Sequence, residues 1–392
     1  MTRRILATAI AAVAFAASMS AQPSKTAGKG AAKPPAPAAK AGTTVDAAAV
    51  SAYAAKFLSF DPESKVTAEK APDHISGMQG WKVHRKGRYE KLNVDKVFYV
   101  SDDGKWFFGG DPPLVNPNPR PVRTVADLGW LEQKFGEIFR TTVHVQMVPE
   151  RDAGSYKAVA AAVETGYGPV RMPGYVSADG KAYLQGPLWD FQMDPREERR
   201  RRIDLSANRV SGPASASVNI VEYADMECGY CKMRGVQMDR LLEANAGIVN
   251  ARRHYKFFPL WFGHIWAMKA ASAGDCIYRA AGAPAFFRYK SLVYSRQESM
   301  TVSGIDELAV TTAEAEGVSG ADFLACYLQD ASFARIRSEI EEGYRLGVNS
   351  TPTYFIDGTE ITWLEDKVME DFLRTLFPKV KTINYGGGVP GK

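Results

Sequence analysis

Two stretches of the chain carry the same pattern of apolar and polar positions. Apolar residues fall at helical spacing at Tyr53, Phe57 and Phe60, and again at Leu131, Phe135 and Ile138. Each set precedes segments in which apolar and polar residues alternate, such as SKVTAEKA (64–71) and TTVHVQMV (141–148), the period of a half-buried strand. Each ends in a related stretch, YVSDDGKWFFGG (99–110) and YVSADGKAYLQG (175–186), with seven of twelve positions identical at an offset of 76. Asp-Gly between short strands predicts a hairpin in both, with glycine at the positive φ of the turn. The pattern therefore predicts two related modules, 45–115 and 124–192, each a helix followed by three or four strands, joined by the Pro-rich NPNPRPVRT (116–124).

From residue 203 the pattern changes. SVNIVEYAD (217–225) reads as a buried strand, and CGYCKMRGVQMDRLLEANA (228–246) as a helix with Met233, Val236 and Leu241 inward. IVNARRHYKFF (248–258) returns as a strand, residues 261–345 are helix-rich, and TPTYFIDGTEIT (351–362) gives two strands around Asp-Gly. Leu364, Val368, Phe372 and Leu376 mark a last helix, and 381–392 reads as a disordered tail. The fold class expected is multidomain α+β and α/β: two tandem modules, then a domain over 203–380 with a helical insertion at 261–345. Between them DPREERRRRIDL (194–205) carries five arginines with Glu197 and Glu198; it reads as a solvated charged helix or linker rather than a phosphate or membrane site.

Composition adds a location. Arg3 and Arg4, the apolar run Ile5–Ala17 and the small residues Ser18, Ser20 and Ala21 have the layout of a cleaved secretory signal over 1–21. Residues 22–44, rich in Ala, Pro, Gly and Lys, read as a disordered linker. The net charge of +5 resides in these two segments, which hold six basic residues and no acid. The folded part is thus near neutral, which removes the main electrostatic support for nucleic-acid binding. No later run is long and apolar enough for a membrane span, so an exported, periplasmic protein is expected.

Four cysteines remain: Cys228, Cys231, Cys276 and Cys326. Zinc needs four ligands, and one Cys pair with five scattered histidines (His74, His84, His144, His254, His264) does not supply them, so no metal is expected. A structural bridge at this spacing would close a tiny loop. A redox couple accounts for more. A strand handing over to a helix places Cys228 at the helix N-terminus, where amide dipoles stabilise a thiolate. Cys228 would be the exposed nucleophile and Cys231, one turn in, would resolve the mixed disulfide, with Gly229 and Tyr230 between them tuning the pair. The Cys228–Cys231 couple is itself the redox group, and no other cofactor is expected. Glu222, six residues upstream on the strand, would lie beneath the pair and carry a proton for Cys231. Thr351-Pro352 would bring backbone beside the thiols to pair with substrate. Cys276 and Cys326, both in the insertion, are either buried free thiols or, as an exported chain favours, a structural disulfide. His264 with Phe257, Phe258, Trp261 and Trp266 forms either the rim of a substrate groove or a helical-domain core.

VNIVEYADMECGYCKM (218–233) together with STPTYFIDG (350–358) resembles the thioredoxin-fold Dsb proteins of bacterial periplasms, over roughly residues 203–380. Gly-Tyr between the cysteines and threonine before the proline are similar to the DsbC isomerases. FYVSDDGKWFFGGD (98–111) resembles the hairpin of the cystatin-like dimerisation module of DsbC and DsbG, here present twice. FFPLWFGHIWAMKAA (257–271) is closer to the wider DsbA-like group. The resemblance implies a thiol-disulfide oxidoreductase acting on exported proteins with non-native disulfides, as isomerase or reductase, with a membrane redox partner. A DsbA-like oxidase and a peptide-binding chaperone are the alternatives. With both modules on one chain, a monomer is expected over a homodimer.

Overall fold

The computed structural model describes residues 45–206 and 209–385; the expected signal segment 1–21, the linker 22–44 and positions 386–392 of the expected tail lie outside them. The first half contains α1 (Ala47–Phe57), β1 (Lys65–Ile75), β2 (Met78–Lys86), β3 (Val94–Ser101), β4 (Trp106–Phe108) and β5 (Leu114–Val115). The second contains α2 (Gly129–Phe139), β6 (Val143–Met147), β7 (Tyr156–Val163), β8 (Val170–Ser177), β9 (Ala182–Gln185) and β10 (Trp189–Asp190). Asp46 caps α1 by accepting from the Ala49 amide at 2.8 Å. The helix buries Val50, Tyr53 and Ala54 against its sheet.

The residues shared by the two hairpins make the same bonds in both. Ser101 Oγ donates to Asp103 and Ser177 Oγ to Asp179, each at 2.6 Å. The amides of Lys105 and Lys181 donate to those carboxylates at 3.1 Å. Gly104 and Gly180 take φ of 67° and 73°, a region that costs glycine nothing. The repeat in the sequence is therefore a repeat of one turn chemistry.

Neither half closes its own sheet. β5, which follows the first hairpin, pairs with β9 of the second half, and β10, which follows the second hairpin, pairs with β4 of the first. The sheet orders are β1-β2-β3-β4-β10 and β5-β9-β8-β7-β6. The boundaries drawn at 115 and 192 are thus crossed by two reciprocal strands, each too short to show alternation in sequence. Met78, Tyr99 and Phe108 of one sheet pack with Tyr156, Leu184 and Leu188 of the other in a shared core. Two expected core positions differ. Phe60 lies beyond α1 and stacks edge-on to Phe372 at 4.9 Å, and Ile138 is 53 % exposed while Leu131 and Phe135 face inward.

The remaining chain runs α3 (Pro195–Arg202), β11 (Arg209–Ser211), β12 (Val218–Ala224), α4 (Gly229–Ala244), β13 (Ala251–Phe257), α5 (Ala267–Arg296), α6 (Val302–Ala315), α7 (Gly320–Cys326), α8 (Asp330–Arg345), β14 (Thr353–Ile356), β15 (Thr359–Ile361) and α9 (Val368–Leu376). The sheet order is β11-β13-β12-β14-β15, with β12 and β13 parallel and β14 antiparallel to β12. The helix α5 breaks at Gly282, just before Pro284.

The reading of α3 as a solvated helix needs correction. Arg199 is 1 % exposed: it donates to the Phe57 carbonyl at 2.7 Å and to Glu360 at 3.2 Å, with its guanidinium over the rings of Phe57 and Trp189. It fastens α3 to both the first sheet and β15. In α4 the buried positions are Cys231, Arg234, Gly235, Gln237, Met238 and Leu241; Val236 is 43 % exposed, because buried polar partners shift the inward face. Leu364 precedes α9 and is exposed, as is Leu376. The tail expected from 381 is ordered at its start, where the Ile383 amide donates to Glu370 at 2.8 Å and Tyr385 packs edge-on to Trp363.

Candidate active site

β12 ends at Ala224 and α4 begins at Gly229, so the loop 225–228 delivers Cys228 as the N-cap residue of α4. No side-chain oxygen caps that helix, which leaves its first amides free to face the sulfur. Cys228 and Cys231 are both free thiols. Hydrogen bonding from Cys231 is the largest influence on Cys228; burial opposes it, Thr351 adds to it, and the thiol pKa comes down to about 6. Burial, with the neighbouring Cys228 sulfur, pushes Cys231 well up. The two thiols thus differ in acidity, in opposite directions. Cys228 is only 8 % exposed, less open than its helix-terminal position suggested, because the Thr351-Pro352 loop and the residues around Met226 cover its flank.

The Thr351–Pro352 peptide bond is cis. The Cys228 thiol donates to the Thr351 carbonyl at 3.4 Å, so this loop and the dithiol share one surface. Pro352 has no N–H, so it brings no competing backbone donor beside the sulfur. Gly229 and Tyr230 lie at the surface, the tyrosine 54 % exposed. Cys276 and Cys326 are joined by a disulfide between α5 and α7 and stand apart from the dithiol in sequence and in helix.

Glu222 is fully buried on β12, but its placement differs from that of a free acid. Its carboxylate accepts two hydrogen bonds from Arg253 of the neighbouring strand, at 2.9 and 2.6 Å, and one from the Tyr354 hydroxyl at 3.1 Å. It serves as the counter-ion of a buried arginine. The sequence expectation gave it a proton for Cys231; the structure shows it paired with Arg253 and Tyr354.

Several residues that shape the site were not singled out by sequence. Asp225 is buried; it accepts from the Glu227 amide at 2.7 Å, the Leu260 amide at 2.7 Å and His264 Nδ1 at 2.7 Å, while its own amide donates to Cys231 Sγ at 3.4 Å. Glu227 accepts from the amides of Ile265 and Trp266 at the start of α5, the latter at 2.7 Å. Gln297 reaches back to donate to the carbonyls of Met226 at 2.8 Å and Cys228 at 3.1 Å. The loop that carries Cys228 is thereby stitched to both ends of α5. Acids at Asp225 and Glu227 between a strand and a cysteine were a signal available in sequence; Gln297, distant along the chain, offered none. His264 sits at the surface of this loop, Phe257, Phe258 and Trp266 are core, and Phe262 and Ile265 are exposed beside it, at 62 % and 70 %. Among the described residues no cluster of side chains could hold a metal ion, and no helix is long and apolar enough to cross a membrane.

Residues 205–375 match the family model Thioredoxin_4, described as thioredoxin. Among curated proteins the chain is similar to Na(+)/H(+) antiporter NhaA 3 of Salinispora tropica, 28% identical over 156 residues, 40% of this chain and 22% of that protein. It is also similar to the NhaA antiporter of Herminiimonas arsenicoxydans, 25% identical over 164 residues, 41% of this chain and 24% of the relative. The chain thus spans less than a quarter of the length of these two relatives. Among solved structures it is similar to the thiol-disulfide exchange protein α-DsbA2 of Wolbachia pipientis, with TM-score 0.39 and 18% identity, covering 46% of this chain and 94% of that one. BdbD of Bacillus subtilis gives TM-score 0.39 and 15% identity over 45% and 95% of the two chains. ScsC of Proteus mirabilis gives 0.38 and 19% over 47% and 78%. The chain carries a thioredoxin-like domain over residues 205–375, with Cys228 and Cys231 at the start of its α4 helix.

Proposed function

We propose that this protein is an exported thiol-disulfide oxidoreductase that isomerises or reduces disulfides in other exported proteins. The observation that carries the reading is Cys228, a helix-capping thiol drawn down to about 6 beside the recessed Cys231. At neutral pH Cys228 is largely thiolate. It attacks one sulfur of a substrate disulfide, and the other sulfur leaves as a thiolate. In reduction, Cys231 then attacks Cys228 Sγ, which closes the Cys228–Cys231 disulfide and frees the second substrate thiol. In isomerisation a substrate thiolate attacks the mixed disulfide instead, and Cys228 leaves unchanged. The Thr351 and Pro352 backbone aligns an extended substrate segment, and Tyr230 with Gly229 borders it.

An isomerase needs its dithiol kept reduced, which calls for a membrane redox partner in the periplasm; nucleic acid has no part. The tandem halves act as cystatin-like modules joined in one chain, which favours a monomer. A cleft of about 340 Å³ lies between them and the thioredoxin-like domain, with Phe98, Trp189, Leu346 and Val348 among its walls. This cleft favours a peptide-holding role, as in a chaperone with secondary thiol activity. The depressed Cys228 pKa favours a further reading, a dithiol oxidase, because a stabilised thiolate makes the disulfide form the stronger oxidant.

The test uses a scrambled, fully oxidised ribonuclease and its reduced form as substrates. An isomerase restores activity to the scrambled enzyme; an oxidase acts on the reduced one alone. Cys228→Ala abolishes both activities, and Cys231→Ala accumulates mixed disulfides. Full activity in Cys228→Ala overturns the reading. Anti-aggregation activity that survives loss of both cysteines, with no thiol exchange in the intact protein, establishes the chaperone reading.

A further inference from the structure

A buried amine packs against α4 one helical turn from Cys231. Lys290 of α5 is 3 % exposed, and among the described residues no carboxylate forms an ion pair with it. Its Nζ stands 5.4 Å from the Tyr255 ring centroid, 5.4 Å from Phe287 and 5.6 Å from Tyr294. It approaches α4 at Gly235, where a Cβ would lie 4.0 Å from Lys290 Nζ and 3.9 Å from Arg253 Nη2. Gly235 is one helical turn beyond Cys231, on the same buried face of α4. A Cβ at Gly235 would meet Lys290 Nζ at ordinary contact distance, so the amine packs directly on this turn of α4.

The groups facing Lys290 come from four elements: Cys231 and Asp239 of α4, Glu222 of β12, Arg253 and Tyr255 of β13, and Tyr294 of α5 itself. Glu222 is held by Arg253 and Tyr354, and Asp239 is bonded to Arg253 and mostly exposed. The Tyr255 and Tyr294 hydroxyls are buried facing each other. Two cations thus share this floor, and the carboxylates have been taken by the guanidinium. Arginine keeps its proton, so the lysine is the member that can change state. Burial first, and repulsion from Arg253 second, bring its amine down to about 8, against the pull of Glu222, Asp239 and Cys231.

We infer that Lys290, and not Glu222, receives the Cys231 proton when the mixed disulfide is resolved. This rests on the thiol-exchange reading given above. The neutral amine takes the proton of the Cys231 thiol and becomes an ammonium. The Cys231 sulfur attacks Cys228 Sγ, the bond between Cys228 and the substrate sulfur breaks, and the substrate leaves as a thiolate with the bonding pair. The enzyme dithiol is oxidised, the substrate disulfide is reduced, and the proton held on Lys290 then passes to solvent. When the pair is next reduced, the amine takes a proton from solvent and passes it to the Cys231 thiolate.

The experiment follows an aromatic disulfide whose thiolate is coloured, in stopped flow with the reduced protein. The first coloured thiolate reports attack by Cys228; the second reports attack by Cys231. The variants are Lys290→Met, Lys290→Gln and Lys290→Arg, each checked for a native thermal transition so that any one that folds carries the test. We expect the first release to be unchanged. The second slows about tenfold or more at pH 8 and loses its rise through that region. Arginine keeps the charge but cannot accept a proton, so Lys290→Arg must slow as well. A second release at the native rate in Lys290→Met or Lys290→Gln overturns the inference. So does a native rate in Lys290→Arg, which would assign the lysine a purely electrostatic role. Absence of the first release from the unaltered protein would instead overturn thiol exchange itself.

Discussion

His264 Nδ1 sits 2.7 Å from a carboxylate oxygen of Asp225, a buried residue three positions before the nucleophile. The Asp225 hydrogen bond raises the imidazole pKa above its usual 6.5, against some burial, with Asp225, Glu227 and Cys228 adding charge attraction. No histidine lies between the two cysteines, so this one supplies positive charge to the Cys228 loop from outside it. His264→Gln should raise the Cys228 pKa, read as the pH at which iodoacetamide labelling of Cys228 reaches half its maximum. The pair also carries a stability signature. A group raised in the folded state contributes in full below its unfolded pKa of about 6.5 and loses that contribution as pH rises through its folded value. The loss of stability in His264→Gln should therefore be greater at pH 5.5 than at pH 9. Equal losses at both would mean that the imidazole is not charged in the fold.

Arg253→Met should be costly. It leaves Glu222 buried with only Tyr354 beside it, and removing one partner of a buried pair costs about 3–5 kcal/mol. Urea denaturation measures it. A loss under about 1 kcal/mol, the size of a surface pair, would show that water reaches the carboxylate.

The disulfide between Cys276 and Cys326 closes a loop of 50 residues linking α5 to α7. Replacing both with alanine should lower stability by about 2–4 kcal/mol while thiol exchange at Cys228 persists. Peptide mapping of the exported protein that finds both thiols free would contradict the pairing.

How much of this was legible in sequence depended on the length of each signal. β12, α4 and β13 were visible because each runs for seven residues or more with a clear period. The repeated turn was visible because Ser, Asp, Gly and Lys each make a bond that the turn requires. β5 and β10, at two residues each, carry no period, so the crossing of the halves was invisible. Glu222 was noticed at its correct depth but its pairing with Arg253 was not, because Arg253 lies on a separate strand and no spacing links the two. Val236 was placed inward because hydrophobicity alone was read; Arg234 and Gln237 occupy that side instead, bonded to each other at 2.6 Å.

The exchanged strands also bear on assembly. Of the four edges of these two sheets, β10 and β5 are two residues long, and the longer β6 and β1 are poor templates for a second chain. The Val145 amide at the β6 edge already donates to Glu132 at 2.9 Å, and β1 carries Lys65, Glu69, Lys70, Pro72 and Asp73 with a register break between Lys70 and His74. Light scattering at micromolar concentration should give the mass of one chain. A mass of two chains would mean that these edges pair despite their guards.

β10 is the last strand of the second half, yet it completes the first sheet beside β4. During synthesis the first sheet therefore waits for residues 189–190 to leave the ribosome, although its other four strands emerged long before. Through that interval the edge of β4 stands open. Neither half is a separable cassette: a truncation after residue 115 would deprive the first sheet of its last strand, and one before it would deprive the second.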